Sequence, residues 1–203
     1  MRARDVMTSP AITVTPGTTV KEAATLLAVN GFTALPVLDD DDRLIGIVTE
    51  ADLVRDRFPY DPRYRHLHPD PESVPAASAT VGAVMTTPAV GMGATADVAD
   101  LVAAMWDDRV RSMPIVDGSR VIGIVTRRDL VRILARDDKD IATDVRHRLA
   151  NDSGPDRWTV AVRDGVVELG DERPDSPDRH VAVVLAEAVP GVTRVLVTDT
   201  AGH

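Results

Sequence analysis

Two tetrapeptides hold the residue types best suited to chemistry, Thr49-Glu50-Ala51-Asp52 and Thr126-Arg127-Arg128-Asp129. In each, a β-rich run ends at the threonine and a helical pattern begins. A helix N-terminus presents unpaired N–H groups and a partial positive charge, which suits a phosphate. A carboxylate one turn in can accept hydrogen bonds from both hydroxyls of a ribose cis-diol, and the threonine can donate to phosphate or ribose oxygens. The same spacing is also an ordinary helix start, with threonine as N-cap and aspartate favourable in the first turn. Spacing alone leaves both readings open.

The two tetrapeptides belong to an internal repeat. Met7-Thr8-Ser9-Pro10 recurs as Met85-Thr86-Thr87-Pro88, and Leu35-Pro36-Val37-Leu38-Asp39 as Met113-Pro114-Ile115-Val116-Asp117, both at an offset of 78. Ile45-Gly46-Ile47-Val48-Thr49 recurs as Ile122-Gly123-Ile124-Val125-Thr126, and Asp52-Leu53-Val54-Arg55 as Asp129-Leu130-Val131-Arg132, at an offset of 77. The single deletion falls in an acidic turn, where Asp39-Asp40-Asp41-Asp42-Arg43 becomes Asp117-Gly118-Ser119-Arg120. An exposed turn tolerates such a loss.

Each copy reads as strand, helix, strand, strand, helix. Ile12 to Val14 is a short strand. Thr19 and Glu22 form a capping-box pattern, and Asp97 is the equivalent cap in the second copy. Val20, Ala24 and Leu27 are placed on the buried face of the first helix, matched by Val98, Val102 and Met105. Gly31 can end that helix. Leu35–Leu38 and Leu44–Thr49 are strands joined by the acidic turn. A unit of about 50 residues is small for an independent core, so two copies must pack together to bury their sheet faces.

With both repeats laid out, the residues resemble the CBS domain family. The Met-Thr-x-Pro start, the Leu-Pro-Val-x-Asp strand and the Gly-Ile-Val-Thr-x-x-Asp-Leu segment occur in order, twice. The resemblance covers residues 1–57 and 79–136. It implies a pseudo-symmetric module with adenosine-containing ligands in clefts: AMP, ADP or ATP, with NAD or S-adenosylmethionine as further candidates. It also implies Asp52 and Asp129 as ribose anchors, Thr49 and Thr126 as their partners, and adenine slots lined by Ile12, Pro36 and Val37, and by Val90, Pro114 and Ile115. Disk-like homodimers are usual in the family. The second copy is the more cationic, with Arg109, Arg111, Arg127 and Arg128 against Asn30, Gly31, Thr33, Glu50 and Ala51 in the first. Arg127 and Arg128 directly follow Thr126, so a more highly phosphorylated ligand is expected at the Asp129 cleft.

Residues 58–78 read as a linker. Pro59, Pro62, Pro69, Pro71 and Pro75 prevent regular structure there. Phe58, Tyr60 and Tyr64 supply three of the chain's six aromatics. His66-Leu67-His68 lacks the carboxylate or cysteine support of a metal site.

Residues 140–200 carry a different pattern. Ile141, Val145 and Leu149 mark a helix. Trp158–Val162 and Val166–Leu169 are strands joined through Asp164-Gly165, a hairpin signal. Residues 178–188 are a second helix, and Val195–Thr198 a last strand after Pro190-Gly191-Val192. This α-β-β-α-β order resembles the BON domain, through Asp164-Gly165-Val166-Val167-x-Leu169 and Val189-Pro190-Gly191-Val192-x-x-Val195. The glycine usual in that family two residues after the hairpin leucine is Asp171 here. That resemblance implies association with a membrane or a partner protein.

The expected fold class is therefore α/β (α+β): two β-α-β-β-α repeats plus a small α-β-β-α-β domain. The composition narrows the function. The chain has no cysteine, so thiolate chemistry is excluded, and its net charge of -9 disfavours nucleic-acid backbones. No P-loop and no complete dinucleotide fingerprint occurs; Gly91-Met92-Gly93 lacks the third glycine. The N-terminus has no apolar run behind its basic residues, and no stretch reaches the roughly 18 apolar residues of a membrane span. A cytoplasmic, non-enzymatic regulator is expected. It would need no cofactor or metal, and would act through its oligomeric state or an unidentified protein partner. A ligand-free scaffold is the alternative.

Overall fold

In the computed structural model the described residues are 1–55, 57–58, 63, 79–154, 157–171 and 178–199. Most of the linker, including Tyr60, Tyr64 and His66-Leu67-His68, lies outside them. The chain divides into two compact units, one of Met7–Ala94 with Leu101–Val125, the other of Met1–Val6, Thr95–Asp100 and Thr126–His203.

In the first unit, helix α1 (Val20–Asn30) starts at a true capping box. Glu22 Oε2 accepts from the Thr19 N–H (2.9 Å), and Thr19 Oγ1 accepts from the Glu22 N–H (3.2 Å). The Thr19 N–H, and after it the Thr19 Oγ1 hydroxyl that donates to the same Oε2 (2.7 Å), hold the Glu22 carboxyl below its ordinary range. Gly31, at φ 64°, ends the helix. The buried stripe is Val20, Ala23 and Leu27; Ala24, expected there from an i, i+4 spacing, is exposed. Helix α2 is Glu50–Val54 and α3 is Val98–Asp107. The same shift recurs in α3, where Leu101 is buried and Val102 is 44% exposed. A helix face accepts either i+3 or i+4, and the smaller step wins in both copies.

Strands β1 (Ala34–Leu38) and β2 (Leu44–Thr49) pair antiparallel. The acidic turn closes on itself, Asp39 Oδ1 accepting from the N–H groups of Asp41 and Arg43. In the second repeat β3 (Met92–Gly93) lies parallel to β4 (Ser112–Asp117), with β5 (Arg120–Thr126) on the far side of β4. The strand expected at Ile12–Val14 shrinks to one bridge, Val14 with Val37. Val14 still exchanges hydrogen bonds with the β1 backbone, its N–H donating to Pro36 O and its carbonyl accepting from Leu38. Val14, Val20, Leu27, Leu35, Val37 and Val48 anchor the core.

The Met-Thr-x-Pro segments interlock the repeats. Thr8 exchanges backbone hydrogen bonds with Ile124 (2.9 and 3.1 Å), and Thr86 with Ile47 (2.9 and 3.0 Å). Ser9 Oγ donates to Ile122 O, and Thr87 Oγ1 to Ile45 O. Each repeat's opening segment therefore lies on the hairpin of the other. The peptides before Pro10 and Pro88 are both cis.

In the second unit, α4 (Arg127–Leu134) is followed by α5 (Asp138–Ser153), β6 (Trp158–Arg163), β7 (Val166–Asp171), α6 (Asp178–Glu187) and β8 (Arg194–Asp199). The sheet order is β6-β7-β8, antiparallel then parallel. Ile141, Val145 and Leu149 are buried against it, as their spacing requires. Asp164 (φ 52°) and Gly165 (φ 73°) form the two-residue hairpin turn. The Asp138 carboxylate accepts both of their N–H groups (2.8 and 3.0 Å). Arg136 ties the α4–α5 junction down by donating to Pro190 O and Asp144 Oδ2 (2.6 Å each). Strand β7 runs on past Leu169 to Asp171, which is fully buried and ion-paired with Arg179 (3.3 Å).

Candidate functional site

The two Thr-x-x-Asp segments fold as the helix starts their spacing allows. Thr49 closes β2, and both its N–H and its Oγ1 donate to Asp52 Oδ2 (2.9 and 2.7 Å). Thr126 closes β5 and does the same to Asp129 Oδ2 (2.9 and 2.6 Å). Asp129 N–H returns a bond to Thr126 Oγ1 (3.3 Å). The capping reading is thus realised in both copies. It does not exclude ligand chemistry, because capping uses only one carboxylate oxygen and holds the other in a fixed direction.

That second oxygen differs between the copies. Among the described residues, Asp52 Oδ1 has no hydrogen-bond partner, and the residue is half-buried. Asp129 Oδ1 accepts from Arg132 Nη1 at 3.3 Å, and Asp129 is 8% exposed. Arg132 was not among the residues the spacing singled out. Asp-x-x-Arg occurs in both copies, so no pattern in the sequence separates the paired case from the unpaired one.

Strand alternation sorts the apolar candidates. Ala34 lies opposite Thr49 and Pro36 opposite Ile47, so Pro36 and Thr49 share a face of the β1–β2 ribbon. Val37 points to the other face, is fully buried and belongs to the core. Ile115 is likewise fully buried beside the buried Pro114. Pro36 and Pro114 are buried as well, on the opposite face of their strands from Val37 and Ile115. Ile12 and Val90, outside regular strands, are 39% and 59% exposed.

Two further hydroxyls stand beside the Thr49 end of the ribbon. Thr33 O accepts from the Glu50 N–H (3.2 Å), so the first amide of α2 is already engaged. Thr33 Oγ1 lies 3.3 Å from Oγ of the buried Ser112. Ser112 gave no signal in the sequence because its counterpart in the first copy is Ala34. Arg127 and Arg128 are exposed in the first turn of α4. Arg109 takes a left-handed conformation (φ 55°) at the position matching Gly31, so it ends a helix as well as adding charge. Among the described residues no group of three or more His, Asp or Glu is placed to hold a metal ion, and no helix is long and apolar enough to cross a membrane.

Hypoxic response protein 1 of Mycobacterium tuberculosis is 30% identical over 132 residues, covering 65% of this chain and 84% of that protein. Inosine-5'-monophosphate dehydrogenase of Methanocaldococcus jannaschii is 30% identical over 132 residues, 64% of this chain and 23% of the enzyme. The chain spans under a third of the first curated relatives it matches, 31% of an uncharacterized M. jannaschii protein and 23% of that dehydrogenase. Among solved structures, CBSX2 in complex with AMP superposes with a TM-score of 0.52 at 28% identity, covering 64% of this chain and 93% of that one. The CBS domain family matches residues 3–57 and 81–136. With two matched repeats that together take in more than half of its length, this chain belongs to the CBS domain family.

Proposed function

We propose that this chain is a non-enzymatic sensor that binds an adenosine nucleotide of the AMP, ADP or ATP class, with the Asp52 carboxylate as a ribose anchor. The observation that carries this is Asp52 itself. Thr49 fixes one oxygen with two donors, and the other faces no donor among the described residues. Such an oxygen suits a ribose hydroxyl, and the likeness to the AMP complex of CBSX2 supports adenine as the base. The exposed Ile12, with Pro36 buried on the face that carries Thr49, is the candidate to meet the base. Asp129, with Thr126, is the second anchor.

Binding confined to the folded state stabilises it by about 2.7 kcal/mol at a hundredfold excess over Kd. Ligand-stripped protein melted with AMP, ADP, ATP, NAD and S-adenosylmethionine should shift upward with at least one. Protein purified gently and then heat-denatured should release that nucleotide into the supernatant, as read by mass spectrometry. No shift with any of the five and no released nucleotide would overturn the reading.

Signalling through a homodimer or a partner protein completes the proposal. Val29 (78%), Val54 (52%) and Trp106 (76%) on α1, α2 and α3 are exposed apolar side chains suited to burial between copies. Light scattering near 22 kDa at high micromolar concentration, the mass of one chain, would contradict the dimer. The α-β-β-α-β order of the C-terminal elements supports a BON-like adaptor, and a cytoplasmic setting fits a nucleotide ligand.

A further inference from the structure

We infer that Arg132 masks the second ribose anchor, so that the two carboxylates fill in order, Asp52 before Asp129. This rests on the nucleotide-sensing reading and adds a residue that sets the inequality of the sites. Both copies carry aspartate and arginine at i and i+3, as Asp52 with Arg55 and Asp129 with Arg132. On a continuous helix that spacing puts the two side chains on one face. Helix α4 has eight residues and stays helical through Arg132 and on to Leu134, which brings Nη1 within 3.3 Å of Asp129 Oδ1. Helix α2 has five residues and ends before Arg55, whose φ of -56° and ψ of 127° turn the chain out of the helix. Arg55 and Asp52 form no ion pair, and Asp52 Oδ1 stays open. Helix length, not residue type, therefore decides which anchor is occupied by the protein's own side chain.

A ribose diol reaching Asp129 must displace this guanidinium. The arginine is 67% exposed, so the contact is of the weak, salt-screened kind and depresses affinity by about two- to fivefold. An effect of that size orders the sites without closing the second.

The test is calorimetric titration of the full chain with AMP and with adenosine, the neutral probe that separates diol competition from phosphate attraction. In an Asp52→Asn background, Arg132→Ala should tighten both ligands by about two- to fivefold, while Arg132→Lys should leave the masking in place. Rising salt should strengthen adenosine binding in Asp52→Asn and leave it unchanged once Arg132 is alanine. An unchanged or weaker affinity on Arg132→Ala, or no binding in that background with or without it, would overturn the masking. If Asp129→Asn protein still binds AMP in that case, the sensing reading stands alone. If wild-type protein binds nothing, both fall.

Discussion

The sulfur of Met7 lies over Gly123, 2.5 Å from where a Cβ on that glycine would sit, and Met85 stands in the same relation to Gly46 at 2.8 Å. Backbone crowds both positions as well, since Thr8 O and Thr86 O each lie 3.0 Å from the same points. The glycines thus allow each opening segment to lie flat on the hairpin of the other repeat. Flexible methionines can give way, but the Thr8 and Thr86 carbonyls, each accepting a bridge hydrogen bond from Ile124 or Ile47, cannot move without breaking the bridge. Gly123→Ala and Gly46→Ala should each cost about 1–3 kcal/mol, as overpacking does. Denaturant unfolding of the single variants checks this. Midpoints equal to wild type would contradict the interlock.

Arg109 holds the left-handed conformation that Gly31 holds in the first copy. A side chain there costs about 1–2 kcal/mol relative to glycine. Arg109→Gly should therefore raise stability by about 1 kcal/mol, even after allowing for glycine's extra freedom in the unfolded chain. A lower melting temperature would show that the exposed guanidinium contributes more than the backbone loses.

Much of this was legible in the sequence, and the parts that were not have physical reasons. The duplication is read by direct alignment of the two copies, and the capping box at Thr19, the N-cap at Thr126 and the Asp164-Gly165 turn follow from local rules, because each depends on residues within one helical turn or one hairpin. The burial of Ala23 over Ala24 was not legible, since both spacings make a helix face. Nor was the shrinking of the Ile12–Val14 strand to a bridge, which depends on what lies beside it. The pairing of Asp129 with Arg132 depends on where a helix stops, and Leu53-Val54-Arg55 and Leu130-Val131-Arg132 read alike. The interlock of the repeats is a long-range arrangement that only the coincidence of a methionine and a facing glycine could have hinted at.

The charge difference between the helix starts gives a separate expectation. Arg127 and Arg128 are exposed in the first turn of α4, where the first copy has Glu50 and Ala51. Ligands held at Asp129 should favour more phosphates. In an Asp52→Asn background, the double change Arg127→Ala, Arg128→Ala should cut the ATP-to-AMP affinity ratio by about three- to tenfold. An unchanged ratio would mean that these arginines do not reach the ligand's phosphates.

The central claim is that an adenosine nucleotide is anchored by the open oxygen of Asp52. Titration calorimetry of ligand-stripped full-length protein with AMP tests it most directly, comparing wild type with Asp52→Asn and Asp129→Asn. Asparagine keeps the size of the side chain but replaces one acceptor oxygen with a donor. Wild type should bind, Asp129→Asn should keep the tighter phase, and Asp52→Asn should lose it by about tenfold or more, the worth of a hydrogen bond to a charged group. The same AMP affinity in Asp52→Asn as in wild type, or no binding heat in any of the three, would contradict it.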